Sequence, residues 1–111
     1  MHQTDWRTKI RGEHKYKERN PISRYLTASY LRKILELVSR APEGSKILDA
    51  GSGRGVTLRH IADMQKNHQL YGIDTGPHCI EMSSEVVPEA HIHRASIYEI
   101  PFSDSFFDLV L

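Results

Sequence analysis

The sequence predicts an α/β protein built on a doubly wound parallel sheet. Two observations carry this prediction: short apolar runs recur along the chain, and the segments between them place apolar residues at helical spacing. A single helix between two strands returns the chain to the same end of the sheet, so the strands run parallel. Parallel sheets are buried between helices, and we therefore expect helices on both faces.

The composition fits one domain with a buried core, because the chain has 111 residues and a formal net charge of +1. Residues 1–40 hold ten Lys and Arg against four Asp and Glu, whereas residues 41–111 hold five against ten. The basic front could contact an anionic partner such as nucleic acid, but most charge runs are solvated helix faces. A single cysteine, Cys79, excludes an internal disulfide, and no apolar stretch predicts a signal peptide or a membrane span. We expect a cytoplasmic protein in which Cys79 packs on the sheet.

The N-terminal part of the chain divides into a charged arm and a helix. Residues 1–19 lack helical or strand periodicity, and we interpret them as an arm that precedes a domain of residues 20–111. Asn20 is predicted as the N-cap of a helix with Pro21 at its first position. This helix is predicted to end at about Arg40, before the sequence Pro-Glu-Gly.

After this helix, apolar runs typical of strands alternate with helical patterns. The first helix after the glycine-rich turn is expected to point Leu58, Ile61 and Ala62 inward. The predicted strands are 46–50, 70–74, 90–94 and 107–111, and the predicted helices between them are 56–66 and 77–86.

The segment ILDAGSGRG, residues 47–55, ends the first predicted strand in a glycine-rich turn with a carboxylate before it. Ligands of doubly wound sheets bind beyond the carboxyl ends of the strands, and glycines let a ligand approach the backbone closely. The spacing does not fit a dinucleotide fingerprint, because Val56 stands at the sixth motif position and the third glycine, Gly55, comes early. A tight turn that binds no ligand is the alternative.

The carboxylate of Asp49 indicates the charge of the ligand. At about 5 Å from a phosphate oxygen and an effective dielectric near 20, its repulsion costs roughly 3 kcal/mol. The same electrostatic interaction attracts a cation. The turn therefore suits a ligand with adenosine at one end and a positively charged amino acid at the other. A nucleotide-linked oxidoreductase is disfavoured by both Asp49 and Val56.

The segment 47–55 resembles the first motif of the class I S-adenosylmethionine-dependent methyltransferases, in which an acidic residue precedes Gly-x-Gly-x-Gly. YGIDT, residues 71–75, resembles their second strand with its terminal acidic residue. RASIYEIPFSDSFFDLVL, residues 94–111, resembles a segment of these enzymes that often has the sequence Gly-Asp-Ala, then Leu-Pro-Phe, a turn and Phe-Asp-Leu-Val. The resemblance covers 46–111 and implies a Rossmann-like methyltransferase fold with S-adenosylmethionine as cofactor.

The resemblance implies a cofactor site along the carboxyl ends of the first three strands. Asp74 is implied to accept from the two ribose hydroxyls, and its alternative role is a cap for the next helix. Ser96 stands where the family often has an aspartate for the adenine amino group, so adenine recognition here would pass to a hydroxyl or to the backbone near Ile97. The implied cofactor-binding residues are Asp49, Ala50, Gly51, Ser52, Gly53 and Gly55 at the methionine end, Asp74 and Thr75 at the ribose, and Ser96 and Ile97 at the adenine.

The resemblance also implies that the chain is a methyltransferase domain truncated after its fourth strand, with strand order 3-2-1-4. The predicted strand 107–111 would then be an open edge that self-associates or pairs with a partner chain. Methyl transfer to an acceptor, taken here as a small molecule, is the implied activity, and the sequence identifies no catalytic base. The alternative is a non-catalytic module or half-domain that binds the cofactor and needs a partner.

Several other residue types have structural interpretations. His91 and His93 share a strand face without further ligands at metal spacing, so no metal site is predicted. Pro101 and Phe102 are expected to shape and pack their loop, and Asp108 to make a structural hydrogen bond. Of the three tyrosines that could reach the cofactor from the front of the chain, Tyr16, Tyr25 and Tyr30, the two on the helix are expected to pack in the core.

Overall fold

The computed structural model describes residues 21–111, which form three helices and four strands in the predicted order. The predicted arm 1–19, with Tyr16, and the predicted cap Asn20 lie outside the described residues. The elements are α1 (Pro21–Ser39), β1 (Lys46–Ala50), α2 (Val56–Asp63), β2 (Gln69–Asp74), α3 (Pro77–Val86), β3 (His91–Arg94) and β4 (Leu109–Val110).

The four strands form one parallel sheet in the order β3-β2-β1-β4, which confirms the predicted order. Along β1, Asp49 lies opposite Gly72 of β2, and Leu48 lies opposite Val110 of β4 on the other side. Along the chain, β2 is therefore added beside β1 and β3 beside β2, and β4 is then added on the opposite side of β1. This reversal creates a crevice at the carboxyl ends of β1 and β4, where ligands of open α/β sheets bind.

All three helices lie on one face of the sheet and share one core. Val38 of α1, Leu58 of α2 and Met82 of α3 are buried together with Ile47 of β1 and Leu70 of β2. Right-handed crossovers that advance in one direction across a sheet place their helices on the same face. Within residues 21–111 the expectation of helices on both faces is therefore not met, because the crossover to β4 in the opposite direction contains no helix.

The segment 95–108 covers part of the second face with aromatic side chains. Because residues alternate along a strand, Leu48 and Tyr71 face away from the helical core. The ring of Tyr71 lies 5.4 Å from that of Phe102, 5.5 Å from that of Phe106 and 5.2 Å from that of Phe107, measured between centroids. The expected packing role of Phe102 is confirmed, while its neighbour Pro101 is exposed.

The two tyrosines of α1 do not pack in the core, so that prediction was wrong. Tyr25 is 69% exposed and Tyr30 is 58% exposed. The contacts of α1 with the core come from its C-terminal half, where Ile34 and Leu35 pack beside the buried Val38. Tyr25 and Tyr30 precede these residues, so their apolar rings remain on the outside of the helix.

Two predicted elements are shorter by more than one residue in the structure. The second helix ends at Asp63 rather than at residue 66, and Gln65 and Asn67 adopt left-handed backbone conformations with φ of 56° and 55°. The last strand is limited to Leu109–Val110, and the side chain of the residue before it, Asp108, contacts the backbone of β1. Its Oδ2 atom accepts a hydrogen bond of 2.8 Å from the Lys46 amide, which confirms the structural role predicted for Asp108.

Candidate functional site

The glycine-rich turn is anchored to the end of the neighbouring strand. It connects β1 to α2, and its first two amides, those of Gly51 and Ser52, each donate a 2.9 Å hydrogen bond to the carbonyl of Ile73. The carboxyl ends of β1 and β2 thus meet at one edge of the sheet. This arrangement brings Asp49 and Asp74 to the same crevice.

The three glycines of the turn have positive φ angles but different surroundings. A Cβ atom built on Gly51 or Gly53, at φ 79° and 55°, would meet no atom within 4 Å. A Cβ on Gly55, at φ 85°, would lie 3.0 Å from the Cβ of Ser83 on α3. Gly51 and Gly53 therefore leave space in which a ligand can approach the backbone, whereas Gly55 allows α2 and α3 to pack closely.

Asp49 is a buried carboxyl group without a compensating charge. Its residue is only 8% exposed, and burial together with the nearby charge of Asp74 raises the pKa of Asp49 from 3.8 to about 6. No cation or hydrogen bond from residues 21–111 opposes this rise. A positively charged ligand at this position would stabilise the ionised carboxylate, so the site favours a cation.

Asp74 joins the glycine-rich turn to the start of α3. Its Oδ2 atom accepts a 3.0 Å hydrogen bond from the Gly53 amide, and its Oδ1 atom accepts a 2.9 Å hydrogen bond from the Gly76 amide. Gly76 is the N-cap residue of α3, so Asp74 also contacts the residue at which this helix starts. An ionised carboxylate has about four acceptor positions, so roughly two of those of Asp74 are free for a ligand.

The residues assigned to the ribose and the adenine follow β2 and β3 at the same edge of the sheet. Thr75 is exposed, and its carbonyl accepts a 3.1 Å hydrogen bond from Nε of Arg94. The Ser96 hydroxyl accepts a 3.1 Å hydrogen bond from the Tyr98 amide, which is a local turn contact. Ile97 is exposed.

Two glycines that the sequence analysis did not single out shape the same region. A Cβ on Gly72 would lie 2.9 Å from Oγ of Ser52 and 2.9 Å from Cδ1 of Leu58, so this position of β2 has no room for a side chain. Gly76 supplies the second amide to Asp74. The signal for both was present in the sequence YGIDTGP, since glycine inside a strand marks a close approach and glycine before proline marks a helix start.

His91, His93 and Cys79 have no assigned role in the crevice. His91 stacks on Tyr71 with ring centroids 4.9 Å apart, and His93 meets Phe102 edge to face at 5.6 Å. Residues 21–111 contain no group of three or more His, Cys, Asp or Glu side chains that could hold a metal ion. Cys79 is a free, partly buried thiol on α3. None of the helices described is both long and apolar enough to cross a membrane.

Comparison with protein families finds one that spans more than half of this chain. Residues 47–111 match the family described as "Methyltransferase domain", and the match begins inside β1 and includes the whole crevice. A search of curated protein sequences found no match.

Solved structures with the same fold include several methyltransferases. A TehB-like SAM-dependent methyltransferase from Corynebacterium glutamicum is 26% identical, with a TM-score of 0.58 over 82% of this chain and 54% of its own. PKMT2 from Rickettsia typhi, solved in complex with AdoHcy, is 27% identical, with a TM-score of 0.54 over 61% of this chain and 14% of its own. A SAM-dependent methyltransferase from Aquifex aeolicus, 23% identical with a TM-score of 0.61, matches 72% of this chain and 45% of its own. This chain thus spans about half or less of the length of these proteins.

Proposed function

Because this chain belongs to the methyltransferase domain family, we propose that it binds S-adenosylmethionine and forms the cofactor-binding part of a methyltransferase. The observation that carries this proposal is the pairing of an uncompensated buried carboxyl group, Asp49, with open space beside Gly51 and Gly53. The first favours a cationic ligand, and the second leaves room for that ligand against the backbone. S-adenosylmethionine is a cation without phosphate, and it meets both conditions.

Most of the assigned residues have a chemical role toward the cofactor that their positions support. Asp49 faces the cationic methionine end, while the backbone from Ala50 to Gly53 leaves space beside it. Asp74 accepts from the ribose hydroxyls, and bonds to an ionised acceptor contribute roughly 1.5 to 3 kcal/mol each. Ser96 and the backbone at Ile97 border the adenine, where an uncharged hydroxyl replaces the carboxylate common in the family.

The proposed reaction is methyl transfer to a small-molecule acceptor. The bound cofactor supplies a methyl group already activated by its sulfonium, so the protein must align an acceptor lone pair with that group and exclude water. Asp49 and Asp74 hold the cofactor in one orientation for this alignment. No side chain among residues 21–111 is assigned as a general base, and an acceptor that must lose a proton would need one.

Methyl transfer from isotopically labelled S-adenosylmethionine to a panel of small-molecule acceptors tests this proposal. We expect cofactor binding by the 111-residue chain with little or no turnover, because the chain spans about half or less of the methyltransferases that it matches. Alignment of the acceptor with the methyl group contributes roughly 7 to 11 kcal/mol to such reactions, so incomplete alignment would abolish turnover. Asp49→Asn is the matched variant, since it keeps the side-chain shape and removes the charge. Absence of cofactor binding in the folded chain would contradict the proposal.

A second candidate function is a cofactor-binding half-domain that associates through β4 with a second copy of this chain. The supporting observation is a groove of about 410 Å³ on the second face of the sheet, with both apolar and polar side chains in its lining. Leu48, Phe102 and Val110 line the groove, and Val110, at the edge, is 54% exposed. Exposed strand edges of this kind pair with other strands.

Sedimentation over a range of concentrations separates this candidate from a monomer. We expect reversible self-association that Val110→Lys abolishes, because a charge on an edge strand opposes pairing. Ser84→Lys, at an exposed position of α3, is the control and should leave the association unchanged. A wild-type chain that stays monomeric throughout would contradict edge pairing.

We also propose a cytosolic location for this chain. The support is its cysteine content, because the one cysteine, Cys79, is a free thiol, as is usual in a reducing compartment. Fractionation of cells that express the protein under its own gene signals tests the location. Recovery outside the cytosol would contradict it.

A further inference from the structure

We propose that Asp74 is a positioning residue that fixes the glycine-rich turn before any ligand binds. This role rests on the proposed function, because it adds to the ribose contact assigned to the same carboxylate. The geometry behind it involves only groups of this chain, so the positioning role can be measured without a ligand.

Three successive amides of the turn point to the end of β2. The amides of Gly51 and Ser52 both donate to the carbonyl of Ile73, each at 2.9 Å. The next amide, that of Gly53, donates to Oδ2 of Asp74 at 3.0 Å. The first two amides donate to a backbone carbonyl, to which the Ser52 hydroxyl also donates at 3.4 Å, whereas the Gly53 amide donates to a side chain of β2.

The other oxygen of the same carboxylate is also occupied by the protein. Oδ1 of Asp74 accepts a 2.9 Å hydrogen bond from the amide of Gly76, the N-cap residue of α3. Two amides from different segments therefore hold the carboxylate in one orientation. The remaining acceptor positions, about two of four, stay available for two hydroxyl groups.

This arrangement lowers the cost of ligand binding. A turn with Gly53 at φ 55° and open space beside it has considerable conformational freedom unless something fixes it. Because Asp74 fixes the turn in the ligand-free protein, binding of the ligand does not carry the entropic cost of ordering the turn. The carboxylate thus couples the turn that faces the methionine end to the residue that faces the ribose.

Amide hydrogen exchange in the ligand-free chain tests the positioning role at single residues. We expect the wild-type Gly53 amide to exchange at least tenfold more slowly than an unstructured amide. Asp74→Asn has one carbonyl oxygen where aspartate has two acceptors, so exchange at Gly53 or Gly76 should become about tenfold faster. Amides in the middle of β2 should be unaffected.

The matched control is Asp108→Asn, which removes a similar carboxylate-to-amide contact elsewhere in the sheet. It should speed exchange at the Lys46 amide and leave Gly53 and Gly76 unchanged. Unprotected Gly53 in the wild-type chain would overturn the proposal, and this result does not depend on whether the variant folds. Equal exchange at Gly53 and Gly76 in wild type and folded Asp74→Asn would also overturn it.

Binding of two ligands separates positioning from direct ribose contact. For S-adenosylhomocysteine and an analogue that lacks both ribose hydroxyls, Asp74→Asn should bind each ligand several-fold more weakly than the wild type. If Asp74 acted only through the hydroxyls, the variant and the wild type would bind the analogue equally, and the positioning role would be refuted. If the wild type bound neither ligand, the proposed function would fail while the exchange result would still decide the positioning role.

Discussion

Asp49 at the end of β1 and Asp74 at the end of β2 carry two carboxylates to one crevice. Burial and the charge of Asp74 together raise the pKa of Asp49 to about 6. At neutral pH the ligand-free protein therefore maintains a buried negative charge at a cost in stability. This cost is characteristic of a site adapted to a cation, since a bound positive charge would offset it.

Asp49→Asn should stabilise the ligand-free protein at pH 7. The folded state holds the Asp49 proton up to about pH 6, whereas the unfolded chain loses it near 3.8, so the wild-type free energy of unfolding falls as pH rises between those values. A difference of about two pKa units corresponds to about 3 kcal/mol at neutral pH. Urea unfolding at pH 4 and pH 7 measures the effect.

The gain from Asp49→Asn should be small at pH 4 and largest above pH 6. Asp104→Asn changes an exposed carboxylate in the 95–108 segment and should shift the free energy of unfolding by less than about 0.5 kcal/mol at either pH. Equal stability of Asp49→Asn and wild type at pH 7 would show that the carboxylate of Asp49 is already compensated.

Cofactor binding should depend on the ionisation of Asp49. A cationic ligand binds the ionised carboxylate, so affinity for S-adenosylmethionine should rise with pH below about 6 and level off above it. Near pH 6 binding should release about half a proton, which calorimetry in buffers of different ionisation enthalpy detects. Asp49→Asn should remove the proton release, and an unchanged release in this variant would assign it to another group.

The glycines of the turn should differ in their effect on stability and binding. Gly55→Ala places a Cβ 3.0 Å from Ser83 at a φ of 85°, so it should destabilise the fold by about 2 to 4 kcal/mol. Gly51→Ala meets no neighbouring atom and should cost only the backbone strain of about 1 to 2 kcal/mol, while it weakens cofactor binding. Thermal unfolding and calorimetry of both variants give the comparison. Equal destabilisation by the two changes would contradict the packing role of Gly55.

The sheet and the crevice follow from local patterns in the sequence. The strand 46–50 and the helix 77–86 have the predicted bounds, because apolar periodicity and a proline at the first helical position define them locally. Placing the turn 51–55 at the carboxyl edge needed only the strand before it and the helix after it. The structural role of Asp108 was also predicted, since a polar side chain at the start of a strand can bond to a backbone amide of the neighbouring strand.

The features that the sequence did not reveal depend on contacts between distant segments. Tyr25 and Tyr30 have apolar rings at helical spacing, but the core reaches only the C-terminal half of α1. Gly55 reads as part of a ligand turn, yet its neighbour is Ser83 on another helix. The link from Asp74 to both Gly53 and Gly76 likewise appears only when β2, the turn and α3 are assembled.

Calorimetry with S-adenosylmethionine and NAD is the most direct test of the central claim, that this crevice takes an adenosyl cation rather than a dinucleotide. The wild-type chain should bind S-adenosylmethionine measurably and NAD at least tenfold more weakly, because Asp49 repels a pyrophosphate by roughly 3 kcal/mol. Asp49→Asn should narrow the difference in affinity, because it weakens the binding of S-adenosylmethionine and removes the repulsion of the NAD pyrophosphate. Tighter binding of NAD than of S-adenosylmethionine by the wild-type chain would contradict the claim.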